Sequence, residues 1–286
     1  MTRYTAFATH LGASLLVAGA LLGASILLWY PPPLFEIDGG WKGLRLVALV
    51  DLVLGPVLTL VVFRPGKPGL KTDMAIIIAI QLSALSYGIW TLYHNRPGLI
   101  VYADDMIKPI AVSVVEEIDP GGELLRRYGS ELPVKLALPI PTDPETGSEY
   151  LLQRLRSPTP LHLHTDDYVR LSEWWPGVIA DSLDIGHYVQ QNTSWHLEYE
   201  RTTAGLGRTA DELVFLPIEG RHKSGIIVAD AATTDFIGFL DIPYLPHKAR
   251  RKVTVRERLG IQPGPEPTTN TDSAEGQNRP GHGVPE

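Results

Sequence analysis

Three long apolar stretches crowd the first third of the chain, and no run of similar length follows them. The first is Leu11 to Tyr30. The second is Leu46 to Phe63, LVALVDLVLGPVLTLVVF, and the third is Met74 to Tyr93, MAIIIAIQLSALSYGIWTLY. A helix rises 1.5 Å per residue, so about 20 apolar residues cross a hydrocarbon core roughly 30 Å thick. The ten residues RPGKPGLKTD, Arg64 to Asp73, leave room only for a reversal between the second and third runs. The pattern predicts three transmembrane helices, at about 11–30, 46–63 and 74–93, the last two forming an antiparallel hairpin. A cleaved signal peptide would have a shorter apolar run, about 7–15 residues, with small residues at its end. The first run instead ends in Trp29-Tyr30 and Pro31 to Pro33. Aromatic residues favour the membrane interface and proline ends a helix, so it reads as a retained span.

After residue 95 the pattern shortens. Leu99 to Tyr102 and Ile110 to Val115 read as strands. Glu123 to Tyr128, Glu149 to Leu155 and, more weakly, Ile179 to Gln191 read as helices. Pro139 to Gly147 reads as a loop. Trp195 to Tyr199, Leu213 to Ile218, Ser224 to Asp230 and Phe236 to Leu240 are short β-rich runs between Gly, Asp and Thr, and predict an antiparallel sheet. From Gln262 on, large apolar side chains almost vanish, which predicts a disordered tail. The expected architecture is a transmembrane domain over 1–95, an α+β domain with an antiparallel sheet over 96–250, and a disordered tail over 251–286.

Charge adds an orientation. Loop two carries Arg64, Lys67 and Lys71, whereas loop one, Pro31 to Gly43, carries Glu36, Asp38 and Lys42. The positive-inside rule puts loop two and the N-terminus in the cytoplasm and everything after Tyr93 outside, which in a two-membrane bacterium is the periplasm. Arg45 and Arg96 near the outer ends weaken that signal. The absence of cysteine excludes disulfides, iron–sulfur clusters and thiol chemistry. A formal net charge of -7 with no basic stripe argues against a nucleic-acid partner.

Asp51 is the residue that a passive anchor does not explain, because a carboxylate in lipid needs partners. It sits roughly 8 Å below the outer end of the second span, level with Ser25 of the first and with Ser86 and Tyr87 of the third. These four are expected to form an intramembrane polar cluster. It would hold the helices together, contact a membrane partner, or relay protons, in decreasing order of expectation. Gly55-Pro56, one turn on, predicts a kink. Gly19 and Gly23 form a GxxxG that lets a second helix approach, within this chain or from a partner. His162-Leu163-His164 with Asp166 and Asp167 has the residue types of a metal site, but it reads as a solvated edge strand, and no metal, cofactor or catalytic motif is expected. Trp174-Trp175-Pro176 is read as core.

The order DLVLGPVLTLVVF from Asp51, a Lys-containing turn, Asp73, IQLSALSYGIW from Ile80 to Trp90, and Asn95-Arg96-Pro97 leading into LIVYADD resembles the type IV pilin accessory proteins, also called fimbrial assembly proteins. The resemblance covers roughly residues 10–115. It rests most on Asp51, Gly55 and Pro56, with Gln81, Gly88, Arg96 and Pro97 adding to it. It implies a non-catalytic inner-membrane protein, embedded in the lipid bilayer, that assists a particular major type IV pilin in assembly or in the balance of extension and retraction. The rival reading is a membrane-bound enzyme that modifies pilin or envelope glycans, with Asp51, His162, His164 and Asp166 as its candidates.

Overall fold

A computed structural model describes residues 2–141 and 143–246. The expected tail, 251–286, lies outside the described residues. Among the described residues, three helices are long and apolar enough to cross a membrane: α1 (Arg3–Trp29), α2 (Gly40–Val62) and α3 (Leu70–His94). Each begins earlier than its apolar run, because the amphipathic flanks continue the helical hydrogen bonding. The Thr2 hydroxyl accepts from the Thr5 amide and caps α1 well before Leu11. Loop one is therefore shorter than Pro31 to Gly43. It contains a single helical turn, Leu34–Ile37, and α2 has already begun at Gly40.

The helices are not regular throughout. α1 ends in a π-turn, Ser25–Trp29, and α2 contains a second, Leu49–Leu54. The second has a local cause. Pro56 lacks an N–H and its ring crowds the preceding turn. The chain widens ahead of it, and the Gly55 amide donates to the Val50 carbonyl five residues back. The π-turn lies immediately before Gly55-Pro56, the pair at which a kink is expected.

Residues beyond α3 form an α/β head on a seven-stranded sheet ordered β4-β3-β1-β2-β5-β6-β7. The strands are β1 (Pro97–Ala103), β2 (Met106–Ala111), β3 (Val134–Ala137), β4 (Val169–Arg170), β5 (Leu213–Glu219), β6 (Ser224–Asp230) and β7 (Phe236–Leu240). The sheet is mixed, which corrects the antiparallel expectation. β5, β6 and β7 form an antiparallel meander, but β3 runs parallel to β1 and β5 parallel to β2. Parallel neighbours need a crossover, and helices supply it. Both faces are covered. Along β1, Leu99, Val101 and Ala103 face one cluster with Leu124 and Tyr128, while Ile100 and Tyr102 face another with Leu171, Trp175 and Val178.

Three local readings change with this. Val112–Ile118 is a helix, so the strand expected to reach Val115 stops at Ala111. Trp195 to Tyr199 lies in a helix, Thr193–Ala204, capped by the Asn192 side chain accepting from the Ser194 amide. Its Trp195 stacks on Tyr188 at 5.1 Å. Residues 161–163 form a 3-10 turn and not an edge strand.

Candidate functional site: the polar line through the bundle and the joint above it

Asp51 is 9% exposed and Gln81 is 8% exposed. Gln81 Nε2 donates to Asp51 Oδ1 at 3.3 Å, joining α2 to α3. Gly55 is what makes room for that amide, since a Cβ there would stand 1.8 Å from Gln81 Nε2. Gly88 lies seven residues after Gln81, close to two full turns, and so on the same face. A Cβ at Gly88 would stand 2.3 Å from Val47 Cγ2. Asp51, Gly55, Gln81 and Gly88 are therefore one helix-to-helix contact, although they come from two separate stretches of sequence.

The line continues to α1. The Thr59 hydroxyl, 1% exposed, donates back to the Gly55 carbonyl at 3.0 Å. His10 Nδ1 lies 2.6 Å from Thr59 Oγ1. With the hydroxyl proton committed to Gly55, His10 presents Nδ1–H as donor. Two polar links therefore touch all three helices: His10 to Thr59 joins α1 to α2, and Gln81 to Asp51 joins α3 to α2, with Gln81 packed against Gly55 between them. His10 and Thr59 were not singled out in the sequence. A histidine opposite a threonine 49 positions away becomes a pair only once the helix pairing is known. Such bonds hold helices in one register where lipid offers no alternative partner.

The expected partners of Asp51 fall elsewhere. Ser86 is exposed and Tyr87 is 66% exposed, its ring stacked on Trp90. They match Asp51 in depth but not in azimuth: five residues after Gln81, Ser86 is turned well away from it. Ser25 is fully buried, on the π-turn of α1, and its Oγ has no hydrogen-bond partner among the described residues. The glycines of the GxxxG face outward. A methyl at Gly12, Gly19 or Gly23 would meet nothing within 4 Å. The buried face of α1 carries Ser14, Leu21 and Ser25. Each is two residues after one of those glycines, which puts the glycines on the opposite side of the helix.

Above the bundle, loop one plugs into the head. Leu34 and Ile37, 1% and 0% exposed, belong to the same apolar cluster as Ile100, Leu171 and Leu216. The His222 and Lys223 amides both donate to the Ile37 carbonyl, at 3.3 and 3.1 Å. Lys223 Nζ bridges Glu36 at 2.6 Å and Asp241 at 2.8 Å. The His222 ring rests against Gly39, whose φ of +94° and missing side chain both suit the approach. Lys42 Nζ donates to His222 Nδ1 at 3.1 Å. Burial, then Lys42 and Arg221, hold the His222 imidazole below its ordinary range. Arg96 Nη1 donates to the Tyr93 carbonyl at 2.5 Å, and its guanidinium lies 3.6 Å from the centre of the Tyr93 ring. The Arg96 carbonyl accepts from Val112, and Pro97 opens β1.

His162, His164, Asp166 and Asp167 do not converge, and no metal-holding group of His, Asp and Glu exists among the described residues. His164 Nδ1 is 3.2 Å from Arg154 Nη1, and Arg154 pairs with Asp167. The Tyr150 hydroxyl donates to Asp167 at 2.9 Å. Burial and this carboxylate push the Tyr150 phenol up to about 12. His162 is held below its ordinary range by burial and by Lys108. Trp175 is buried, with Nε1 donating to the Ala231 carbonyl at 2.7 Å.

Among curated proteins the chain is similar to the fimbrial assembly protein of Dichelobacter nodosus serogroups C1 and C2, with 39% identity over 102 residues. That match covers 35% of this chain and 77% of the relative. The serogroup E1 protein is 39% identical over 102 residues and the serogroup I protein 38% over 105. This chain spans 39% and 40% of their lengths. No family model and no solved structure matches the chain.

Proposed function

The chain belongs to the fimbrial assembly protein family, and from that premise we propose that it is a non-catalytic inner-membrane accessory protein that assists a cognate major type IV pilin during pilus assembly or in its extension–retraction balance. In this reading α1, α2 and α3 span the bilayer and loop two, with Arg64, Lys67 and Lys71, faces the cytoplasm. The head then stands in the periplasm. A pilin awaiting assembly would offer one apolar helix to the bundle and a folded domain to the head.

The observation that carries this reading is the outward face of α1. Gly12, Gly19 and Gly23 leave backbone bare where none of the described residues packs against it. Small residues at that spacing let a foreign helix come close. Leu16, 77% exposed, and Leu27, 81% exposed, give such a helix apolar side chains to pack on.

The test is co-purification. Tagged protein extracted in detergent is expected to bring down its cognate pilin, and a deletion strain is expected to lose most surface pili. Replacing Gly19 and Gly23 with Leu is expected to reduce pilin recovery at least fivefold at unchanged protein level. Normal piliation in the deletion strain, with no pilin in the eluate, refutes the proposal.

A further inference from the structure

Arg221 lies in the turn between β5 and β6, yet its guanidinium does not serve the head. Its Nε donates to Asp38 Oδ1 at 3.0 Å and its Nη2 to Asp38 Oδ2 at 2.7 Å, a two-pronged grip on a carboxylate 183 residues away. Its Nη1 donates to Asn95 Oδ1 at 2.7 Å, and Nη2 also reaches the Asn95 carbonyl. The Asp38 side chain is wholly buried, and the Arg221 side chain is 31% exposed. Asp38 stands just ahead of α2, and Asn95 is the residue that ends α3. A third tie completes the ring. The Tyr30 hydroxyl, immediately past the end of α1, donates to the Leu92 carbonyl of α3 at 3.0 Å.

An arginine fork suits this place because it is planar, always charged and carries five donors in a fixed array. A lysine carries its three donors on one nitrogen and lacks the planar fork that grips both Asp38 oxygens while also reaching Asn95. Asp38 has no exit to water, so it depends on that fork for compensation of its charge.

We propose that Arg221 is a latch that fixes the head-side ends of α2 and α3 at one spacing. While it is closed, head and bundle move as a single body, and α1 is carried along through Tyr30 and Leu92. When it opens, the three helix ends loosen together and the head is held to the bundle only by the chain junction at 95–96 and the buried turn of loop one. On the accessory-protein reading above, which this inference extends, the latch lets a pilin bound to the head bias the helices that meet its apolar helix.

Hydrogen exchange on the full chain in lipid nanodiscs tests it. Arg221→Ala is expected to speed exchange at least tenfold in 36–43 and 92–96, and also in 26–30, where Arg221 meets the Tyr30 hydroxyl that is itself tied to α3. Residues 226–229 in the head sheet are expected to keep wild-type protection. Acceleration confined to 221–223 and 36–39 would make Arg221 an ordinary turn residue and overturn the latch. If Arg221→Ala unfolds the head, Asp38→Asn, which keeps the side-chain shape, is expected to speed the same three segments by a smaller factor. No change in a folded Asp38→Asn protein overturns the proposal as well. A protein that stays soluble without detergent or lipid would instead count against the membrane reading, and the exchange pattern would still judge the latch.

Discussion

A carboxylate nine-tenths buried between apolar helices must be bonded or neutral, because an isolated charge there costs far more than a folded chain can spare. Asp51 answers with Gln81, and Gln81 fits only because residue 55 is glycine. Removing one side of such a pair costs more than removing both. Gln81→Leu is therefore expected to destabilise the bundle by about 1–3 kcal/mol, while Asp51→Leu/Gln81→Leu costs less than the single change. Thermal unfolding in detergent, closed as a double-mutant cycle, measures the difference, and additive losses would break the pairing argument. In the head, His162 and His222 both have depressed pKa values, with burial the first cause in each case. A depressed histidine contributes stability that is present above its unfolded value of about 6.5 and is lost as pH falls below it. Denaturant unfolding is expected to show a weaker head at pH 5 than at pH 7.5. His222→Gln should flatten part of that slope, and a head equally stable at both values would contradict it.

The elements show which signals survive in sequence. Leu213 to Ile218, Ser224 to Asp230 and Phe236 to Leu240 read as strands and are strands, since apolar β-branched runs between turn residues have few other uses. The parallel pairings were not legible. Strands covered on both faces lose the alternation that would mark an outer face, and crossover helices separate partners such as Ile107 and Ile218. Trp195 and Tyr199 were misread because four-residue spacing in a short window fits helix or strand, and the Asn192 cap decided it. Of the candidate site, Asp51, Gly55, Gln81 and Gly88 were all visible, but which of them meet depended on helix azimuth, to which depth is blind. Loop one was least legible of all: Leu34 and Ile37 looked like linker residues and are core of the head. Ile37→Ala, a change between two spans, is expected to cost the head about 3 kcal/mol. Urea unfolding followed by a fluorophore placed in the head checks it, and a loss under about 0.5 kcal/mol, typical of a surface site, would refute it.

At the scale of the whole molecule, an apolar bundle and a mixed-sheet head are joined where α3 runs into β1, and are braced by the short loop buried in the head and by Arg221 reaching back from it. The bundle turns Asp51, Thr59 and Gln81 inward, and the glycine face of α1 is bare among the described residues. On the function proposed above, that bare face is where a pilin helix would pack, on a bundle whose own register is already fixed. Photo-crosslinking in the native host tests this most directly. A photoreactive residue at Leu16, on the bare side of α1, is expected to form an adduct with the major pilin, and one at Leu21, on the buried side, is not. Equal labelling from both positions, or no pilin adduct from Leu16 in cells that make normal pili, would contradict the account.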